Sequence, residues 1–543
     1  MKTFYACLVI LLLGALVLTG CGTSSTTSAT TSANVPENTS TAGSTSTSPS
    51  AITTSTPTPA NPQTGGTLRL IDDRPPNGSL GWFAEPGPPA GSFFFLMFEG
   101  LVRPQYNGDV LPELAASWDV APDGSSITFH LQPNVKFQDE SDFTATVAKW
   151  NIDLYIAAHM PATQDVSSVE AVDSSTLKVN LSVYHNTILY GLSSVAMVSK
   201  AAYDAHGGDN GGSDYLRWNP VGTGPFKIDT YTTDQSIKCV KFNDFWQKGK
   251  PYLDAVIVTW VPDPNTASAS LQAGEADVMV GNSPQIFSRL KEQGFNITSR
   301  FTGAITLIPD SKNPDSPLAN KEVREAIDYA INRDGLVKAR GYGMWVPTYQ
   351  FADPTSSAYI KDLPPRTYNP DKAKQLLADA GYPDGFSMTL YGDSSTTDKD
   401  TTVAMQSELQ AIGIKVDLSW LDYAGFVQYV MQGWENGMLV CANGFAPNMN
   451  SAINMVWSQK AMFFPSVMKT DTDQQLINAS RSSKEYDPAL VQKILKEIYD
   501  EVMFIPVYDI IRGAATATNV HDSGFLVPYG PSSWQPADAW ISK

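Results

Sequence analysis

The stretch Val403-Ala404-Met405-Gln406-Ser407-Glu408-Leu409-Gln410-Ala411-Ile412-Gly413-Ile414-Lys415-Val416-Asp417-Leu418-Ser419-Trp420 changes its period half-way. From Val403 to Ile412 it reads as a helix, and Gly413 ends it. Ile414, Val416, Leu418 and Trp420 then alternate with polar residues, the pattern of a strand with one covered face. A helix that hands over to a strand through one glycine is the building unit of layered α/β proteins.

The same unit recurs on both sides. Asn369-Pro370 places a cap and an N1 proline ahead of Ala373, Leu376, Leu377 and Ala380, which share one face, and Gly381 stops the helix. Asp487-Pro488 opens another, with Leu490, Val491, Ile494, Leu495 and Ile498 on one side, before the apolar Phe504-Ile505-Pro506-Val507. Before about residue 310 the pattern differs. Thr67 to Ile71 alternates, as do Ile127, Phe129, Leu131 and Leu177, Val179, Leu181, and the apolar run Ala255 to Val261 reads as a buried strand. A strand-rich first half and a helix-strand second half predict an α/β protein of two lobes.

Size and charge fit that picture. The 543 residues suffice for at least two packed units, and hydrophobic residues at 42% exclude a disordered chain. A net charge of -18 would repel phosphate backbones, so nucleic acid is not an expected partner.

The front end has its own character. Lys2 precedes an apolar run from Phe4 to Leu18, short for a membrane span but suited to a secretory signal over residues 1–20. It ends in Leu18-Thr19-Gly20-Cys21, which looks like the lipobox of bacterial lipoproteins, with Cys21 as the lipid attachment site. The 43 residues from Gly22 to Thr64 include 24 Ser or Thr and no aromatic residue, and they cannot form a core. As a tether they would span about 35 Å end to end. Lys2 and Glu37 are the only charges before Gly65 and they cancel, so the body carries the whole net charge. Cys239 and Cys441, far apart in the body, are expected to be free thiols.

Several ordered segments of the body form a recognisable series. They are Phe98-Glu99-Gly100-Leu101-Val102, Leu111-Pro112-Glu113-Leu114-Ala115-Ala116-Ser117-Trp118, and Asp123-Gly124 leading to Thr128-Phe129-His130-Leu131. Asn219-Pro220-Val221-Gly222-Thr223-Gly224-Pro225-Phe226, Asn243-Asp244-Phe245-Trp246, Leu271-Gln272-Ala273-Gly274-Glu275-Ala276-Asp277 and Val323-Arg324-Glu325-Ala326-Ile327 follow along the chain. Together these segments resemble the extracellular solute-binding proteins of family 5, the peptide, dipeptide and nickel receptors of ABC importers, and the resemblance implies a two-lobed periplasmic-binding-protein-like clamp with an inserted subdomain in lobe one. Lobe one would take residues 65–102, 219–308 and 506–543, the insertion 103–218, and lobe two 309–505. Closure around a solute would be read by a membrane permease, with a monomeric receptor held outside the cytoplasm by its lipid and no cofactor or metal required.

In this family the ligand is contacted by the segment before the Phe-Glu-Gly-Leu motif, by the insertion and by a strand-loop of lobe two. The first maps to Trp82, Phe83 and Glu85, aromatic faces and a carboxylate that suit a peptide-like or cationic solute; Trp82 suits packing on its own lobe equally well. The second maps to Tyr155, on a helix where it and Trp150 also have the spacing of core residues. The third maps to Asn443 and Phe445 within Val440-Cys441-Ala442-Asn443-Gly444-Phe445-Ala446-Pro447-Asn448. Here the chain departs from peptide-binding relatives, which carry a Trp and then an Asp that pairs with the ligand's ammonium. Asn443 stands near the Trp position and Ala446 near the Asp, with no carboxylate nearby in sequence. An oligopeptide-like solute is the first expectation, an oligosaccharide or another polar organic solute the second, and a nickel chelate ranks lower.

A secreted hydrolase is the competing class. There is no Gly-x-Ser-x-Gly elbow, no His-Glu-x-x-His helix and no cluster of the five His. The acidic pairs Asp72-Asp73 and Asp471/Asp473 suit solvated loops better than a catalytic pair. A binding protein without turnover is the expectation.

Overall fold

The computed structural model describes residues 61–76, 78–85, 91–104, 110–394, 396–446, 448–524, 534 and 536–543. The signal segment 1–20, Cys21 and the tether up to residue 60 lie outside the described residues.

Element ends follow the residues that announce them. The Asn369 side chain accepts from the Lys372 amide at 3.0 Å and opens the helix Pro370–Asp379, and Gly381 follows it at φ +92°. The helix of the opening stretch runs Lys399–Ala411, a turn longer than its apolar pattern, because Asp398 caps it by accepting from the Thr401 amide at 2.9 Å. It passes through Gly413 to the strand Lys415–Leu421. Asp487 caps Pro488–Asp500, whose Val491, Ile494, Leu495 and Ile498 are buried.

An eleven-stranded mixed sheet runs through the body. From one edge its order is Lys415–Leu421, Ser387–Asp393, Gly437–Gly444, Asn296–Pro309, Ile505–Thr516, Val278–Gly281, Thr67–Asp72, Ala255–Trp260, Ser236–Lys241 and Phe226–Thr232, with the two-residue Val346–Pro347 also pairing Ile505–Thr516. Asn296–Pro309 and Ile505–Thr516 are the long members, and each belongs to both lobes. Asn296 to Phe301 pair with Thr516 to Ile511, beside Val278–Gly281 of lobe one. Gly303 to Pro309 pair with Gly444 to Met438, in lobe two. Register shifts lie between Phe301 and Gly303 and between Ile305 and Thr306. They are bulges on opposite strands, Thr302 being extra on one and Val507 on the other. Pro506 tolerates its place inside the sheet because it stands at the second bulge.

Separate cores flank this crossing. Leu68, Leu70, Phe98, Val256 and Val258 belong to lobe one's main core, and Ile71, Phe287 and Ile511 to a smaller one on the sheet's other face. In lobe two, Ile327, Leu377, Leu390 and Leu409 pack on one face and Ile308, Leu439, Trp457 and Ile494 on the other. The four-stranded antiparallel sheet Ala115–Val120, Ser126–Leu131, Thr176–Leu181 and Val166–Ala171, with the helix Ala145–Ala157 packed on it, is inserted between the neighbouring strands Thr67–Asp72 and Ala255–Trp260. Its Ile127, Phe129, Leu177 and Val179 join lobe one's main core.

The glycine-rich turn at 219–226 locks this insertion down. A Cβ on Gly222 would stand 2.0 Å from the Met97 carbonyl oxygen, so only glycine lets the chains lie so close. Gln138 clamps the same place, its amide donating to the carbonyls of Met97, Gly224 and Phe226, the last at 2.7 Å.

The acidic pairs read as solvated loops are corrected. Asp72 is buried and accepts from Ser92 Oγ at 2.5 Å and from Arg512 at 3.0 Å, and Asp73 takes the same guanidinium at 2.6 Å. Asp473 is buried in a capping box with Thr470, at the head of the helix Asp471–Ser482. In the first pair the partner lies more than four hundred residues on, beyond the reach of a local pattern. Cys239 and Cys441 are free, the first buried and the second half-buried.

Candidate functional site

The lobe-one residues expected at the ligand are packed and partnered. Trp82 stacks on Tyr203 with ring centroids 5.6 Å apart, and Trp150 meets the same ring at 5.0 Å. Phe83 sits edge-on to Phe94 and Phe98 at 5.4 and 4.8 Å. The Glu85 carboxylate is held by the Arg217 fork, one arm at 2.6 Å. Tyr155 is buried; its hydroxyl accepts from the Ala196 amide at 3.2 Å and lies 3.4 Å from the Ser194 carbonyl, and burial pushes its pKa up, keeping the phenol neutral. The structure thus puts Trp82 and Phe83 into lobe one's main core through two aromatic groups, ion-pairs Glu85 with Arg217, and has Tyr155 brace the 194–196 loop.

In lobe two, Asn443 is the last residue but one of the strand Gly437–Gly444 and lies opposite Ala304, and Ala304 faces Asp509 on its other side, with Val346 beyond. Directly opposed residues share a face of the sheet, so Asn443, Ala304, Asp509 and Val346 form one row. The neighbouring Gly303 admits this approach, since a Cβ there would lie 2.2 Å from the Asn443 carbonyl oxygen. The Asn443 amide donates to Thr306 Oγ1 at 2.5 Å. Phe445 is buried edge-on to Phe351 at 5.3 Å, and Phe351 meets Trp457 at 4.9 Å. No hydrogen bond or ring contact joins these residues to Trp82, Phe83, Glu85 or Tyr155 among the described residues.

Two carboxylates that sequence reading missed stand in this part of lobe two. Asp509 is fully buried, and neither of its oxygens has a hydrogen-bond partner. Asp353, two residues after Phe351, accepts from the amide and hydroxyl of Thr355 through Oδ1, both at 2.6 Å, while its buried Oδ2 has none. Burial pushes both above the usual carboxylate range, Asp509 far above it, and the Asp353 charge adds to the effect on Asp509. The available signal was Asp509 as the lone charge in the apolar run Ile505 to Ile511.

A second joint connects the insertion with lobe two. Asn186 donates from its side chain to the carbonyls of Ser480 at 2.8 Å and Glu485 at 3.0 Å and to Ser483 Oγ at 3.1 Å. Its Oδ1 accepts from Asn450 at 3.1 Å, and the Tyr184 hydroxyl donates to the Lys484 carbonyl at 2.7 Å.

Residues 109–464 match the family model described as bacterial extracellular solute-binding proteins, family 5 Middle. The chain belongs to this family. It is 32% identical over 457 residues to the glutathione-binding protein GsiB of Shigella boydii serotype 4 (strain Sb227), covering 78% of this chain and 85% of that one. Among solved structures it resembles HbpA2 from Haemophilus parasuis, with a TM-score of 0.76 at 21% identity over 88% of this chain and all of the other. The Helicobacter pylori periplasmic binding protein DppA in complex with the peptide STSA gives a TM-score of 0.70 at 24% identity, over 89% of this chain and 99% of that chain. The two-lobed α/β fold expected from the sequence is therefore the fold of this family member.

Proposed function

We propose that the protein is the solute-binding component of an ABC importer, capturing an oligopeptide-like solute between its lobes and delivering it to a membrane permease. The observation that carries this reading is the pair of long strands, the sheet's crossing between the lobes among the described residues, with the Asn186 joint connecting the insertion to lobe two. Such a body can close on a solute and be held closed by contacts between the lobes. The peptide class is supported by relatives named for glutathione and by a structural neighbour holding STSA.

The rest of the reading belongs with it. Residues 1–20 serve as signal, Cys21 carries the lipid, and 22–64 tether a monomeric body outside the cytoplasm at the membrane. Lobe one takes 65–102, 219–308 and 506–543 with the insertion 103–218, and lobe two takes 309–505, except that the inner halves of the two long strands, 303–308 and 506–510, pair within the lobe-two sheet. Trp82, Phe83, Glu85, Tyr155, Asn443 and Phe445 wall the site, through backbone and ring edges, since their polar atoms are largely engaged. The protein binds without turning its ligand over.

A thermal-shift screen of the purified protein tests the class. Ligand at a hundred times its Kd stabilises by about 2.7 kcal/mol. Glutathione and di- to pentapeptides should raise the melting temperature and be recovered intact. Shifts with oligosaccharides alone, or hydrolysed peptide, would overturn the proposal.

A further inference from the structure

We propose that Asp353 and Asp509 form a subsite for an organic cation, a primary ammonium or a guanidinium carried by the solute. The inference rests on reading this body as a solute receptor and names the chemistry that part of lobe two selects.

Three buried carboxylate oxygens, both of Asp509 and Oδ2 of Asp353, have no hydrogen-bond partner. The Thr348 hydroxyl beside Asp509 spends its proton on the Gln350 carbonyl at 3.1 Å. Neither carboxylate enters an ion pair among the described residues. Other buried carboxylates are met by a cation or by donors: Asp328 by Arg333 and Arg366, Asp72 by Arg512, Glu99 by the Trp246 indole, Asp310 by Ser316 and the Asn436 amide, and Asp473 through one oxygen by Thr470. Buried charges are ordinarily paired, so a pair kept without a cation in the protein itself is suited to one that arrives.

The surroundings favour an organic cation. Phe351 lies within two residues of Asp353 and packs on Phe445 and Trp457, and aromatic rings attract cations through their quadrupoles. The buried Trp457 Nε1 also lacks an acceptor, leaving a donor for a carbonyl next to the cationic group. Calcium or magnesium would need about six oxygen ligands, and no third His, Cys, Asp or Glu joins the two among the described residues. Asp509 lies between the two opposed bulges, a device that re-aims side chains near sites. In this chain the two carboxylates take the role that Ala446 has given up.

Calorimetry with trialanine, N-acetyl-trialanine and agmatine tests this on the full chain and on Asp509→Asn and Asp353→Asn. Trialanine should bind at least tenfold tighter than its acetylated form, and each variant should erase that preference. Without ligand at pH 8, Asp509→Asn should melt no lower than the parent, because it removes a buried carboxyl group that no donor meets. A structural carboxylate would give the opposite, and a lower melting temperature for both variants overturns the proposal. Equal binding of both tripeptides overturns the subsite and leaves the peptide reading standing. Binding of agmatine alone, lost in Asp509→Asn, retains the subsite and overturns the peptide reading. No binding of any of the three overturns the subsite.

Discussion

The side-chain amide of Asn186 donates a 2.8 Å hydrogen bond to the carbonyl of Ser480, and the two residues belong to the insertion and to lobe two. Two more bonds from the same amide and one accepted from Asn450 make this residue the most heavily engaged contact at that joint. Asn186→Ala removes all four while leaving both lobes intact. Bonds of this kind contribute about 1 kcal/mol each, and fewer than all will survive as net stabilisation. The closed state should lose about 1–3 kcal/mol, so ligand release should speed up about tenfold or more with little change in association. Stopped-flow dissociation measures this; an unchanged release rate would show that the joint does not hold the closed form.

Arg512 sits on a long crossing strand and neutralises Asp72 and Asp73 together. Replacing it by Met leaves two largely buried carboxylates without their cation, which should cost about 3–5 kcal/mol. Denaturant unfolding reads the loss. Adding Asp72→Asn and Asp73→Asn to Arg512→Met should recover a good part of it, and no recovery would locate the effect in packing.

Stability should fall as pH rises toward neutrality. Burial, with Glu113 as a like-charged neighbour, pushes Glu99 well above its ordinary value although the Trp246 indole donates to it, and burial pushes Glu113 up to about 7. Their folded values exceed the unfolded ones, so the fold holds more protons between about pH 4.5 and 7. The contribution is complete below that window and is lost as pH climbs through it. Glu113→Gln, which still accepts from the Gly100 amide, should flatten the profile and raise stability at pH 8. Urea melts at pH 5.5 and pH 8 decide it.

Gly222→Ala should destabilise the body by about 1–3 kcal/mol, the usual cost of forcing atoms into a packed place. The new Cβ meets the Met97 carbonyl 2.0 Å away, and Gln138 ties that carbonyl to the Gly222 amide, so the two chains cannot part without breaking its bonds. A melting temperature equal to the parent's would mean that the 96–98 backbone moves freely.

Much of this architecture was legible because it is local. Asn369, Asp487 and Gly413 each act within a few residues, and the periods of 403–420 name a helix and a strand without outside help. Trp82 was legible as an aromatic of the first loop, but not its stacking on Tyr203, since that depends on an insertion returning from elsewhere. Asp509 was harder still. Its significance comes from sharing a row with Asn443 and neighbouring Asp353, three residues from three elements, and a one-residue change in either bulge would turn it to the other face. Ala446 showed what the strand-loop had lost; what could compensate was visible only in three dimensions.

The two long strands remain bonded to each other from Asn296 to Leu307, with only the bulges interrupting the ladder. A paired ribbon yields to twisting and bending far more readily than to sliding, since sliding breaks every rung at once. Lobes mounted on such a ribbon would swing like a door on its leaf hinge and be barred from drifting sideways, so that each closing would return opposite walls to the same alignment.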